Sequence, residues 1–313
     1  MVCLSSLVGS KESHVAYNAA AALGLGVAGA LRERMLKDPR ILRRLEVVGR
    51  WPGPAVASRK SSTQPFHILS FLADIGIRRG DPGIEDVAAI VLDTMDERSM
   101  PLLPSREGVM GWAFCDAPTT LYALARMGFE DPRIAAGIDF IASKVGAQGC
   151  GCTVSPSFGS WRGPGRAGDP CPYATMAVLR LLSVAPEGRE APLRSCAATL
   201  LGLWEQSRHL HPYIFYMGDD FRKLKLPNFW YDILAVADAL SLSPAGRDDP
   251  RFKEILSLIL AKEGGDGFYP ETTYLPWKDF DFGQKKLPSE WMAFFILRLA
   301  SRTSPPRGSP RSA

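Results

Sequence analysis

The sequence has no long apolar run. Its most apolar stretch, Ala16 to Leu31, is rich in Ala and Gly and interrupted by Asn18, whereas a membrane-spanning helix needs about 20 strongly apolar residues. The stretch reads as a first core helix. Its flanks, Lys11, Glu12 and His14 before it and Ala28, Gly29 and Ala30 at its close, are the outline of a signal-peptide core, the alternative reading. A cytoplasmic location is the expectation. An excess of one charge is also missing: 37 basic against 33 acidic residues leave +4, with no basic face for nucleic acid. Six cysteines in 313 residues do not build a disulfide framework, so reduced thiols or a metal site fit better.

Several chemical signatures are absent too. There is no Gly-rich phosphate loop, dinucleotide fingerprint, Gly-x-Ser-x-Gly elbow, His-Glu-x-x-His helix or Cys-x-x-Cys pair, which sets aside the common nucleotide, hydrolase and metalloprotease classes. No segment alternates long enough to make a sheet. What remains is 46% hydrophobic and 22% charged, a composition that supports a large globular core.

An internal repeat organises that core. Asp-Pro-(Arg/Gly)-(Ile/Phe) occurs at Asp38–Ile41, Asp81–Ile84, Asp131–Ile134 and Asp249–Phe252, with Glu190–Arg194 as a degraded copy. Asp caps free backbone N–H groups and Pro suits the first helical position, so each copy predicts a helix start. Before each start, or after the last, lies a more apolar helix: Pro65–Ile77, Pro118–Phe129, Pro172–Val184, Asn228–Leu242 and Ser289–Ala300. They align on Leu72, Leu124, Val178, Val236 and Ile296. Helices apolar nearly all round are buried, and amphipathic ones cover them.

The expectation is an all-α protein, an α/α toroid of about five to six helical hairpins with inner helices around a central cavity. An open HEAT-like array is the alternative, but it would want polar capping repeats at its ends. Residues 1–60 read as an N-terminal helical segment, partly loose, 61–300 as the toroid, and 301–313 as a disordered tail. Five residues before each alignment position stand His67, Thr119, Tyr173, Tyr231 and Trp291. In a closed ring they look into one cavity, either as large core residues or as the aromatic wall of a site for an apolar ligand.

The ring of helix pairs, the Gly-rich connections Gly108–Trp112 and Gly264–Phe268, and the segment Trp161–Tyr173 together resemble the terpenoid cyclase and protein prenyltransferase superfamily, which includes squalene–hopene cyclases. The sharpest resemblance is to the β subunit of protein farnesyl- and geranylgeranyltransferases. In that family an Asp-x-Cys at an inner-helix start binds zinc, with basic residues upstream for diphosphate. The resemblance implies Zn²⁺ at Asp169 and Cys171, with Asp232 (or Tyr231 after a one-residue slip) where the family has His. It implies Arg162 and Arg166 on the diphosphate, and an apolar substrate such as a prenyl diphosphate among His67, Tyr173, Tyr231 and Trp291. No helical-repeat α-subunit domain accompanies the chain's ring, which favours small-molecule chemistry over protein modification.

Thiolate and carboxylate are zinc ligands and guanidinium groups grip diphosphate, independently of any family. The bland alternatives are an N-cap for Asp169 and a small buried thiol for Cys171. The cyclases' Asp-x-Asp-Asp acid motif is missing, so a metal-free reading assigns the acid to Asp232 or Asp116, if burial raises its pKa. Three further expectations are Mg²⁺ at Asp219–Asp220, a thiol cluster of Cys115, Cys150, Cys152 and Cys171, and a non-catalytic toroid binding lipid, peptide or protein.

Overall fold

The computed structural model describes residues 2–105, 108–160, 163 and 168–303. Arg162, Arg166 and most of the expected tail (304–313) lie outside the described residues. The N-terminal helices are α1 (Leu4–Leu7), α2 (Ser13–Ala22), α3 (Ala28–Leu36) and α4 (Pro39–Val48). The middle of the chain forms α5 (Pro65–Asp74), α6 (Ile84–Asp93), α7 (Ala117–Arg126), α8 (Pro132–Ser143), α9 (Pro172–Leu182) and α10 (Glu190–Glu205). Then come α11 (Ile233–Ser241), α12 (Pro244–Arg247), α13 (Pro250–Leu260) and α14 (Glu290–Thr303). The one sheet among the described residues pairs two residues with two, Leu103–Pro104 with Met110–Gly111. The protein is all-α, and none of its described helices is long and apolar enough to cross a membrane.

The five apolar helices foreseen from the repeat are α5, α7, α9, α11 and α14. In α5, α9 and α11 every residue is buried. All five alignment residues, Leu72, Leu124, Val178, Val236 and Ile296, are fully buried. Burying one such side chain is worth about 1.5–3 kcal/mol, so packing rather than intrinsic propensity sets these helices. They pack in the order α5, α7, α9, α11, α14, and α14 packs in turn on α2. The amphipathic α4, α8, α10 and α13 lie against them. Helix α8, for example, buries Ile134, Gly137, Ile138 and Ile141, a stripe at helical spacing.

Three of the four Asp-Pro starts are caps. Asp38, Asp131 and Asp249 accept from the backbone N–H of Arg40, Arg133 and Arg251 at 2.9, 2.8 and 2.9 Å. In each, the Arg side chain folds back onto the same carboxylate through Nε and Nη2. The copy with Gly in place of Arg differs. Gly83 takes a left-handed φ of 78° and becomes the N-cap of α6, so this helix starts at Ile84. Asp81 instead accepts from Arg78 N–H and the Arg32 guanidinium.

The stretch Ala16–Leu31 is not one helix: it is split between α2 and α3. Leu7, Val15, Ala19, Met35, Ile41 and Val48 belong to the same core as the repeat helices. Ser301–Thr303, placed by the sequence in the tail, continue α14. The run Trp277–Lys286 is packed as a strap ahead of α14. Trp277, Phe280 and Phe282 are buried against one another and Phe71, and Arg44 reaches Asp279 at 2.9 Å.

Candidate functional site

Inside the core, the segment before α11 decides what the middle of the molecule contains. The sequence placed a helix from Asn228, but α11 begins only at Ile233, because Asp232 caps it by accepting from Ala235 N–H at 3.0 Å. Residues 226–232 therefore run as irregular chain among the apolar helices. Phe229 packs on the rings of His67 and Tyr274 at 4.8 and 4.6 Å, and its carbonyl accepts from the Tyr173 hydroxyl at 3.0 Å. Two voids of about 10 and 20 Å³ flank it, each with room for about one water. His67 and Trp291 line one, Thr119 and Tyr173 the other, and Asn228 and Phe229 line both.

Thus four of the five residues aligned by the repeat face space beside one short segment. The fifth, Tyr231, belongs to that segment. Its ring packs on Phe215 and Phe221 at 5.1 and 5.2 Å, and Tyr173 lies 4.4 Å from Trp230.

This segment also carries unsatisfied polarity. Asn228 Oδ1, the Tyr231 hydroxyl and Asp232 Oδ2 are buried without a hydrogen-bond partner, and such atoms are costly enough to need a reason. Asp232 is 1% exposed. Burial pushes its pKa up to about 7 against the opposing backbone N–H groups and Lys225. Asp116 is also fully buried and raised by burial, although Arg59 Nε donates to it at 2.7 Å and Ala113 N–H at 2.9 Å. His67 is held neutral, its pKa lowered by burial to about 4, with its ring Nε2 2.8 Å from the Arg59 carbonyl.

Among the described residues, the ligand atoms of Asp169, Cys171 and Asp232 are not gathered within 4.8 Å of one another. Asp169 lies on an open groove of about 930 Å³ with His209, His211 and Tyr213, whereas Cys171 and Asp232 are buried. Both histidines line this groove, although an extended segment would have pointed them apart; a turn at Gln206–Leu210 brings them round. Among the described residues, the ligand atoms that do lie within 4.8 Å of one another are those of Glu12, His14 and Asp281, a group that could coordinate a divalent ion. No sequence motif marked it, because its members come from distant parts of the chain. Arg162 and Arg166 lie outside the described residues.

Three thiols of the expected cluster and one acid of the expected pair have local surroundings that explain them. Burial raises the thiol pKa of Cys171 to about 11 and that of Cys115 well above its ordinary value. A hydrogen bond with Cys196 and burial raise Cys150. Buried protonated thiols are poor nucleophiles. Asp220, one of the two residues expected to hold Mg²⁺, is engaged by Lys225 at 2.6 Å and Lys223 at 3.2 Å.

A second buried assembly was not foreseen. Asp74 on α5, Tyr122 on α7, Arg180 on α9, Asp238 on α11 and Arg298 and Arg302 on α14 meet in the core. Arg180 bonds Asp74 and lies 3.3 Å from Asp238, with its guanidinium 4.0 Å over the Tyr122 ring. Tyr122 donates to Asp74 at 2.7 Å, and Arg302 to Asp238 at 2.9 Å. The signal was available: two positions after each alignment residue stands a charge, namely Asp74, Arg126, Arg180, Asp238 and Arg298. Only Arg126 of these faces solvent.

No protein-family model matches the chain, and no curated protein matches it.

Proposed function

We propose that this protein is an α/α-toroid enzyme of the terpenoid-cyclase and prenyltransferase kind, acting on an isoprenoid or similarly apolar substrate by acid–base chemistry, with Asp232 as proton donor. The observation that carries this reading is the Asp232 carboxyl: buried, one oxygen unpartnered, its proton retained to about pH 7, on a segment walled by aromatic rings. A carboxyl kept neutral by burial is an acid at neutral pH. Proton transfer to an alkene or epoxide leaves the carboxylate and a carbocation, which the faces of Tyr231, Phe229 and Tyr274 stabilise.

What supports a closed ring is the packing of α14 on both α11 and α2, with one buried assembly drawing side chains from all five inner helices. Metal-dependent transfer from a prenyl diphosphate would need Asp169, Cys171 and Asp232 to draw together, and their separation favours the metal-free version.

The test is product analysis with a panel of isoprenoid alkenes, epoxides and diphosphates. Conversion of at least one is expected. Asp232→Asn should lower the rate by about 100-fold or more, the range of general-acid contributions, while keeping the cap to Ala235. Activity should fall above pH 7 as Asp232 loses its proton; its charged and titratable neighbours are Lys225, Asp220 and Tyr274. Undiminished turnover in Asp232→Asn would sink the assignment.

A further inference from the structure

The fully buried His14 has no hydrogen bond at either ring nitrogen. A neutral imidazole always carries one N–H donor and one acceptor, so this ring leaves both unmet inside the core. Its surroundings are otherwise apolar: the rings of Trp291, Phe280 and Phe71 lie 4.9, 5.4 and 6.3 Å away.

On its one polar side stand two carboxylates. Glu12 Oε2 is 3.8 Å from His14 Nδ1, too far for a hydrogen bond. Asp281 Oδ1 is also buried and unpartnered, while Oδ2 accepts from Ser289 Oγ and Trp291 N–H, both at 3.0 Å. Ligand atoms of Glu12, His14 and Asp281 all lie within 4.8 Å of one another, close enough for small side-chain shifts to bring them to the separations of about 3–4 Å that bonds near 2 Å require.

The charges agree. Arg40 bonds both Glu12 and Asp38, and Asp281 beside them lies close to Glu12 and His14, so three carboxylates against one guanidinium leave an excess of two negative charges. A dication would neutralise the excess and give a partner to one His14 ring nitrogen and to Asp281 Oδ1 at once.

We propose that Glu12, His14 and Asp281 bind one divalent transition-metal ion of the zinc class. The imidazole nitrogen selects such an ion over Mg²⁺ or Ca²⁺, which take all-oxygen sets. Asp281 is held in place by Ser289 and Trp291, as ligands usually are by outer partners. The ion ties α2, whose N-terminal end carries Glu12 and His14, to the strap that leads into α14. It thus fixes the junction between the first and last of the packed helices. The site is separate from Asp169, Cys171 and Asp232.

The experiment is calorimetric titration of Zn²⁺ into chelator-treated full-length protein, with melting temperature read in parallel. Glu12→Gln and Asp281→Asn are near-isosteric variants to compare. One ion per chain, a raised melting temperature, and more than about 100-fold weaker binding in each variant are expected, beyond what loss of an outer partner costs. Co²⁺ in place of Zn²⁺ should give visible bands with no thiolate charge-transfer band. Absence of binding, binding that survives both substitutions, or a thiolate band from the cysteines would each overturn the proposal.

Discussion

Arg180 illustrates how much one residue can decide. Burial alone would raise the Asp238 pKa, but Arg302, Arg298 and Arg180 outweigh it and hold the carboxyl below its usual range. Removing one partner from such a cluster leaves an uncompensated buried charge, at a cost of about 3–5 kcal/mol. Arg180→Met should therefore lower unfolding stability by about that amount in urea titration. The sign with pH follows from the depressed pKa. The contribution of Asp238 is present above about pH 4, its unfolded range, and is lost as pH falls below it. In Arg180→Met the folded pKa of Asp238 rises toward its unfolded value, so that acid loss should be smaller and complete at a higher pH. The repeat alignment made His67, Tyr173, Tyr231 and Trp291 legible, because position along a helix is set by periodicity. It passed over Asp74, Arg180 and Asp238, since a lone charge in an apolar helix reads as an irregularity until its partner is in view.

At the scale of elements, the Asp-Pro-Arg starts were the clearest feature of the sequence, since a cap is local chemistry. Asp131 is the simplest to test: it caps α8 and holds Arg133, and its removal touches no buried partner. Asp131→Ala should cost about 0.5–2 kcal/mol, the usual range for a lost N-cap, measured by chemical denaturation. The misplaced start of α11 has the opposite cause. Apolar spacing continues from Asn228 through Leu242, so the periodic signal could not show where the helix yields to chain that fills the centre. Its start is written only in Asp232, which the sequence offered as a ligand or an acid and not as a cap. The Glu12, His14 and Asp281 group was illegible for a related reason: its members meet only once α14 has packed on α2.

For the whole molecule, the question is whether residues 1–60 form a unit apart from 61–300. Val15, Ala19, Met35 and Ile41 sit in one core with Phe71, Trp291 and Phe295, and Ser10 bonds Glu290 across that junction. Elements that share a core and its buried charges unfold together. Calorimetry should show a single transition for the full chain; two resolved transitions would mean the N-terminal helices are stable on their own.

The placement of Phe229 has a consequence for anything that seeks the centre. A guest would compete with part of the protein itself rather than with bulk water. Its apparent affinity would be the intrinsic one scaled by the fraction of molecules in which residues 226–229 stand aside. Selectivity would then begin before contact, in the cost of emptying the room.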